Sequence, residues 1–143
     1  MTSKATITAE TTREMESATT ESREDAKILD QRGKEAAAKF LERRGYDVIE
    51  RNWSCYAGTV DIIANDEDTL VFVEVNTCRD DKGGFPAETN VAEKRAQYEK
   101  IALAFLTDYD AVDMTVRFDN ISIVVIGDDR ALVRHHIGIH STC

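Results

Sequence analysis

The sequence predicts a single α/β domain, because it contains two helical segments and five short segments that favour strands. Apolar residues recur at helical spacing in two stretches, whereas β-branched and aromatic residues dominate five others. These segments follow the order α-β-β-β-α-β-β along the 143 residues, without an internal repeat. About 110 residues can bury one core but not two, so we expect one domain.

The first helix is predicted to begin at about Asp25. Its small and apolar residues fall on one stripe, formed by Leu29, Gly33, Ala36, Ala37, Phe40 and Leu41. Gly45 follows this stripe at the place where a helix is expected to end, since glycine readily adopts the left-handed conformation of a C-cap.

The predicted strands are rich in residues that favour a pleated, partly buried surface. They are Asp47–Asn52, Val60–Ala64, Leu70–Thr77, Arg117–Ile126 and the weaker Ala131–Ile139. The turn-forming residues 65–68 separate the second strand from the third, and residues 80–88, with two glycines and the only proline, predict a flexible loop. We expect Trp53, just after the first strand, to lie in the core.

The second helix has the clearest pattern. Its apolar face is formed by Tyr98, Ile101, Ala102, Phe105, Leu106 and Tyr109. Asn90 and Glu93, three residues apart, predict a capping box at its start.

The first 24 residues predict a disordered tail, and residues 25–143 the folded domain. Ten of those 24 residues are Ser or Thr, and several are Glu, so the segment cannot bury enough apolar surface to offset its ordering entropy. It lacks the features of a signal peptide and is acidic, unlike a mitochondrial presequence. Three cysteines without C-x-x-C spacing are expected to be reduced thiols in a cytoplasmic protein.

The charge balance limits the classes of partner. Eighteen basic against 27 acidic side chains give a formal charge of −9. A general polyanion binder usually has a basic excess, so any contact with nucleic acid requires a local basic patch. The sequence also lacks an apolar run of the roughly 20 residues that a membrane helix needs, and no membrane association is expected.

Two acidic residues interrupt apolar strands. Glu74 shares one face of its strand with Leu70 and Phe72, and Asp61 stands between Val60 and Ile62 on the preceding strand. A buried carboxylate is unfavourable unless a cation pairs with it. If the two strands form a hairpin, both carboxylates meet on the sheet and could hold a hard cation such as Mg²⁺, which can activate water and stabilise charge on a phosphate. Alternatively, they pair with Arg117 or Lys94 and bind no metal.

Basic residues near the second helix are the candidates for a phosphate-binding patch. Lys94 falls on the inward stripe of the helix, and Arg95 lies beside it. Arg79 and Lys82, around the predicted loop, complete the patch. As an alternative, Lys94 is a surface lysine whose ammonium reaches solvent. His135, His136 and His140 lie close together in the sequence but do not predict a metal site, because on a strand only His136 and His140 share a face.

Several stretches together resemble one bacterial family. These are RRGYDVIERNW, GTVDIIA, LVFVEVNT, GGFPAE and RFDNISIVV, which span about two thirds of the chain from Gly33 to Ile126. In content, order and spacing they resemble the YraN family, which has the restriction-endonuclease-like PD-(D/E)XK fold and is related to archaeal Holliday junction resolvases. The resemblance implies a mixed central sheet flanked by helices, in an endonuclease-like domain over residues 25–143.

The resemblance also implies roles for individual residues. Asp61 and Glu74 would be the metal-binding carboxylates, and the backbone carbonyl of Val75 a further ligand. Mg²⁺ would be the cofactor, with Mn²⁺ as a substitute, and branched DNA the substrate. The oligomeric state is left open, a homodimer included.

Three polar positions depart from the family pattern. Asn76 replaces the usual lysine of E-V-K, and asparagine could position a water but not stabilise charge. Lys34 replaces the Glu of the first-helix GE motif, for which the neighbouring Glu35 could substitute. Thr59 replaces another Glu. Relatives in the superfamily sometimes bring the lysine from a helix, which Lys94 could do here.

Two functions follow from this combination. The first is Mg²⁺-dependent phosphodiester hydrolysis on branched DNA, weakened by Asn76. The second is a catalytically impaired module that binds nucleic acid or a protein without cleavage.

Overall fold

The computed structural model of the chain describes residues 9–79, 91–109 and 114–138. It has the expected α/β element order, which confirms the predicted fold class at that level. The elements are α1 (Ala9–Arg43), β1 (Asp47–Cys55), β2 (Gly58–Asp66), β3 (Thr69–Arg79), α2 (Val91–Asp108), β4 (Thr115–Ile126) and β5 (Arg130–His136). Within these described ranges, no helix combines the length and apolarity that crossing a membrane requires.

The five strands form one mixed sheet in the order β1-β2-β3-β4-β5. The first three strands form an antiparallel meander, β3 pairs in parallel with β4, and β5 returns antiparallel to β4. A parallel pair needs a long crossover connection, and the segment that contains α2 provides it between β3 and β4.

The two helices cover opposite faces of the sheet, because alternate residues of β3 belong to two different apolar clusters. Val71, Val73 and Val75 pack in the cluster that contains Ala37, Ala38 and Leu41 of α1. Leu70 and Phe72 pack in the cluster that contains Tyr98, Ile101, Ala102 and Phe105 of α2. A strand buried on both faces has a nearly continuous apolar sequence, as β3 does.

The ends of α1 differ in how well they were predicted. The helix begins at Ala9 rather than near Asp25, so the predicted start is wrong and part of the segment assigned to a disordered tail is helical. Glu, Ala, Met and Arg in that segment favour a helix, and extending an existing helix needs no new nucleation. Residues 1–8 of the predicted tail lie outside the described residues.

The C-terminus of α1 is a Schellman cap at Gly45, as the sequence predicts. Gly45 has a positive φ of 89°. Its N–H donates to the carbonyl of Glu42 at 3.0 Å, and the N–H of Tyr46 donates to the carbonyl of Leu41 at 3.0 Å. This cap directs the chain from the helix into β1.

The first four strands are longer than predicted by one to three residues at one or both ends, because backbone pairing continues beyond the apolar run. The fifth begins one residue earlier than predicted and ends at His136 rather than Ile139, so its predicted C-terminal end is wrong. Trp53, predicted to follow the first strand, lies within β1 and packs edge-to-face on Phe105 of α2, with ring centroids 5.3 Å apart. The predicted inward face of α2 is confirmed by its buried residues. Asn90 of the predicted capping box and the predicted loop 80–88 lie outside the described residues.

A close approach fixes α1 against β3. Gly33 lies over Thr77, and a Cβ at position 33 would lie only 2.8 Å from the Thr77 Cβ and closer still to its Oγ1. Only glycine allows this contact, although glycine lowers the stability of a helix interior by about 1 kcal/mol. The contact brings the polar residues next to Gly33 close to the sheet.

A buried ionic network joins β4 to β5. Asp119, with no exposed surface, accepts two hydrogen bonds from Arg117, one from His135 Nε2 at 2.8 Å and one from the N–H of Gly138 at 2.9 Å. Arg117 also donates to the hydroxyl of Tyr46 at 2.7 Å. His135 is thus a partner of a buried carboxylate, which the spacing of the histidines did not reveal.

These contacts make the stability of the fold depend on pH. Burial alone would raise the pKa of Asp119, but the hydrogen bonds from His135, Arg117 and Gly138 outweigh burial and lower it below its ordinary value of 3.8. The unfolded chain therefore takes up this proton first as the pH falls, and the stability that Asp119 contributes is lost as the pH falls below about 3.8 towards the lower folded pKa.

We expect the urea midpoint of the wild type to fall between about pH 5 and pH 3. Asp119→Asn should be less stable at neutral pH, by about 3–5 kcal/mol, and should lose part of this acid dependence. Asp66→Asn is the control, since Asp66 is 37% exposed and lies 3.4 Å from Arg117. If the urea midpoint of Asp119→Asn falls with pH as steeply as that of the wild type, Asp119 is not the source of the acid dependence.

Candidate active site

The candidate site lies where β2 and β3 separate. Their pairing extends from Asp66 opposite Thr69 to Ile62 opposite Val73, and Asp61 is the next residue of β2. Beyond this pair the Asp61 side chain replaces the backbone of β2 as hydrogen-bond partner of β3, because its Oδ2 accepts a hydrogen bond from the N–H of Val75 at 2.8 Å. Asp61 is thereby held beside the backbone that follows Glu74.

Glu74 lies on the α2 face of β3, with 12% of its side chain exposed. The ammonium of Lys94, from the first turns of α2, forms an ion pair with its Oε1. Lys94 is one of the two basic residues that the sequence offered as partners of the strand carboxylates. The other, Arg117, pairs with Asp119 and Asp66. Burial lowers the pKa of Lys94, and the nearby Asp61 carboxylate opposes that shift.

Asp61 has its own lysine, contributed by α1. Lys34 Nζ lies 3.3 Å from Asp61 Oδ1, 3.1 Å from Asp30 Oδ2 and 3.2 Å from Asn52 Oδ1. Burial lowers the pKa of Lys34, but its hydrogen bonds and attraction to Asp30 and Asp61 outweigh burial and raise it. Lys34 therefore stays charged near neutral pH, at a position where the family resemblance implies an acidic residue.

Tyr98 is a buried residue of the α2 cluster that lies near enough to Asp61 to feel its charge. It lies on α2 one turn after Lys94 and is only 4% exposed. Burial, reinforced by the negative charge of Asp61, raises the pKa of its hydroxyl, so Tyr98 stays neutral. The site thus contains two separate ionic contacts, Lys94 with Glu74 and Lys34 with Asp61 and Asp30.

A cleft of about 580 Å³ opens beside Asp61 between α1 and the β1–β2 pair. It is lined by residues of α1, β1 and β2, namely Lys27, Asp30, Gln31, Lys34, Glu35, Arg51, Asn52, Asp61 and Ile62. Glu35, predicted to substitute for the motif carboxylate, is exposed and lines this cleft. The three basic and three acidic side chains that line the cleft cancel in formal charge, which gives it no strong preference for anions.

Two members of the predicted basic patch have acidic partners in the structure. Arg95 pairs along its own helix with Glu99 at 3.2 Å, and Lys94 faces Glu74. Arg79 is exposed at the end of β3, and Lys82 lies outside the described residues. Asn76, on the same face of β3 as Glu74, is half-buried.

The described residues contain no group of three or more His, Cys, Asp or Glu side chains that could hold a metal ion. Asp61 and Glu74 are a pair, with the carbonyl of Val75 as the third ligand that the family resemblance implies. Mg²⁺ often keeps several waters and binds through one or two carboxylates, so a pair suits a hydrated ion of this type.

Sequence reasoning did not identify Asp30 and Asn52 as site residues. Asp30 precedes Lys34 by four residues, a spacing that favours an ion pair on a helix and could have been noticed. Asn52 has a positive φ of 49° within β1, a conformation that asparagine tolerates better than most residues. Its position next to Lys34 depends on the pairing of β1 with β2, which the local sequence does not specify.

The fold and site define a class of protein, a small α/β domain with two carboxylates at the split of a mixed sheet and a lysine on each. The model of the uncharacterised protein family UPF0102 matches residues 33–123. A UPF0102 protein of Geobacter sulfurreducens is 44% identical over 109 residues, covering 76% of this chain and 85% of that protein. One of Nocardia farcinica is 38% identical over 111 residues, covering 78% of this chain and 87% of the relative.

The chain therefore belongs to the UPF0102 family, which is the YraN family, and the predicted family is confirmed. Membership does not by itself assign an activity, since these relatives are named only by their family.

We expect Lys94 and Glu74 to be energetically coupled. Removing one charge leaves the other partly buried without a partner, so Glu74→Gln and Lys94→Met should each lower the free energy of unfolding. The double variant should be more stable than the sum of the two losses predicts, by about 0.5–3 kcal/mol. The exposed pair Arg95 and Glu99 is the control, with an expected coupling of about 0.3–0.5 kcal/mol. Strict additivity at Lys94 and Glu74, measured by urea denaturation, would contradict the ion pair.

Proposed function

We propose that this protein is a Mg²⁺-dependent phosphodiesterase that acts on branched DNA. Asp61 and Glu74 are its metal-binding carboxylates, and Lys94 replaces the lysine that Asn76 has displaced from the motif. The observation that carries the proposal is the ion pair between Lys94 and Glu74, one strand away from Asp61. Lys94 of α2 thereby reaches Glu74, the carboxylate next to which the motif lysine would stand at position 76.

The architecture supports a PD-(D/E)XK fold for this function. In that fold an acidic residue at the split of the sheet and a second on the next strand form the site, as the family resemblance implies. Here the last β2–β3 pair is Ile62 with Val73. Asp61 and Glu74 are the adjacent residues of β2 and β3, just beyond this pair. Helices on both faces and the parallel β3–β4 pair agree with the same fold.

The donor chemistry suits magnesium. Two carboxylates and a backbone carbonyl are hard oxygen ligands, the kind that Mg²⁺ prefers, and waters complete its coordination. Asp61 and Glu74, with the carbonyl of Val75, would hold the ion. When bound, Mg²⁺ lowers the pKa of a coordinated water and stabilises negative charge on a phosphate, and Mn²⁺ can substitute for it.

The residues of this chain divide the remaining tasks. The N–H of Val75 fixes the orientation of Asp61. Lys94 supplies a positive charge that can offset the charge developing on a phosphate in the transition state. Asn76, on the same strand face as Glu74, can hydrogen-bond to a water but adds no charge.

The substrate would be branched DNA, by analogy with the Holliday junction resolvases that the family resembles. Because the whole chain carries a charge of −9, its contacts with phosphates must be local. Arg79 at the exposed end of β3, together with Lys82 and Arg95, is proposed to supply them. A homodimer would match the symmetry of a four-way junction, and a reducing cytoplasm would suit the thiols of Cys55 and Cys78.

The test is a cleavage assay with a four-way junction, a flap and single-stranded DNA, in Mg²⁺ and in Mn²⁺. Wild type should cleave one of them, Asp61→Ala should abolish cleavage, and Lys94→Met should reduce the rate by about 100-fold or more. Lys100→Met, an exposed charge on the same helix, should cleave at the wild-type rate. Cleavage that survives Asp61→Ala would refute the site. Cleavage only by Asn76→Lys would show that Lys94 does not replace the motif lysine.

A second candidate function is binding to nucleic acid without cleavage. It is favoured by Asn76 and by Lys34, whose ammonium lies 3.3 Å from the Asp61 carboxylate. In this reading the lysines neutralise both carboxylates, and the fold presents a surface to DNA without hydrolysing it.

This candidate predicts metal-independent affinity for a labelled four-way junction that falls steeply as salt rises from about 50 to 200 mM. Exchanging Arg79 or Arg95 for Met should weaken binding, whereas Lys100→Met should not. Fluorescence anisotropy measures both effects. Affinity that is indifferent to salt and to these changes would indicate a protein partner instead.

A further inference from the structure

We propose that Lys34 controls the metal affinity of the site, because its ammonium is a tethered cation that competes with a divalent ion for Asp61. A metal can use the Asp61 carboxylate fully only when Lys34 moves away. This inference rests on the proposed metal-binding role of Asp61, and it concerns a residue to which the proposed hydrolysis assigns no task.

The hydrogen-bond count carries the argument. A lysine ammonium has three N–H donors and no acceptor. Lys34 has three oxygen partners at 3.1–3.3 Å, one each from Asp30 of α1, Asn52 of β1 and Asp61 of β2. Its donors are therefore matched by acceptors from three different elements, so the ammonium is held rather than passing near by chance.

The oxygens of Asp61 are committed on both sides. Oδ2 accepts the N–H of Val75 at 2.8 Å, and Oδ1 faces Lys34 at 3.3 Å. The side chain is only 17% exposed, so water screens the lysine charge incompletely. A divalent cation that approaches Oδ1 would meet the positive charge of Lys34 at close range.

The supporting residues hold Lys34 in this position. Gly33, the preceding residue, brings α1 into contact with Thr77 of β3 and so lowers Lys34 onto the sheet. Asn52 reaches the ammonium from a left-handed backbone conformation within β1. Lys94 is placed differently, since it pairs with Glu74 and approaches from the opposite face of the sheet. The two lysines therefore have separate tasks, Lys94 in hydrolysis and Lys34 in metal affinity.

The experiment is a titration of the full chain with Mn²⁺, in which free Mn²⁺ is measured by electron paramagnetic resonance. Lys34→Gln and Lys34→Ala should bind Mn²⁺ about 10- to 100-fold more tightly than wild type, the range typical of changes beside a metal ligand. Lys34→Arg keeps the charge and should resemble wild type. Lys39→Gln removes the same charge from an exposed position of α1 and should also resemble wild type.

A further variant tests whether the gain occurs at Asp61. Adding Asp61→Asn to Lys34→Gln should abolish the increased affinity. Equal dissociation constants for wild type and both uncharged Lys34 variants, no binding by any variant, or a gain that persists without Asp61 would each overturn the inference. Circular dichroism confirms that each variant is folded, and Lys34→Ala provides a second uncharged variant if Lys34→Gln is not.

Metal affinity and cleavage separate this inference from the proposed hydrolysis. A tighter Mn²⁺ site in Lys34→Gln without cleavage by any variant would support the role of Lys34 and refute the nuclease. Cleavage by wild type with unchanged Mn²⁺ affinity in Lys34→Gln would support the nuclease and refute the role of Lys34.

Discussion

β3 is buried between two helices, and the rest of the structure depends on this constraint. Its residues alternate between the apolar cluster under α1 and the one under α2, and it pairs with a strand on each side. Such a strand has no solvent-exposed face on which to place a charge. Glu74 can lie there because α2 presents Lys94 to it, and burying one charge without the other would be unfavourable.

The same constraint explains why the polar residues gather at one end of the sheet. Ile62 and Val73 form the last residue pair between β2 and β3, and beyond it the backbone groups of β3 need other partners. Asp61 satisfies one of them through the N–H of Val75. Lys34 of α1 reaches Asp61 at this point, because Gly33, the residue before it, allows α1 to contact β3 closely. An acidic protein thus holds two cations against two carboxylates at the point where its sheet opens.

The family comparison and the site geometry differ in what they contribute. Membership of UPF0102 rests on the family match over residues 33–123 and on relatives that are 38–44% identical over about 110 residues. The family resemblance implies departures at Lys34, Thr59 and Asn76, and the geometry shows what the first two of these side chains contact. Lys34 replaces an acidic side chain with a cation on Asp61, whereas the hydroxyl of Thr59 bonds to Ser54 at 2.8 Å, outside the carboxylate pair.

The sequence by itself determined the elements, their order and the positions of the two strand carboxylates, because these follow from periodicities of 2.0 and 3.6 residues that act locally. It missed the early start of α1, where helix propensity extends a helix without an apolar face. Only the tertiary structure decided which charges meet. Lys94 is 20 residues from Glu74, and Lys34 is 18 from Asn52, so strand register and helix docking select these pairs. The partnership of Asp119 with His135, 16 residues apart, depends in the same way on the register of β4 and β5.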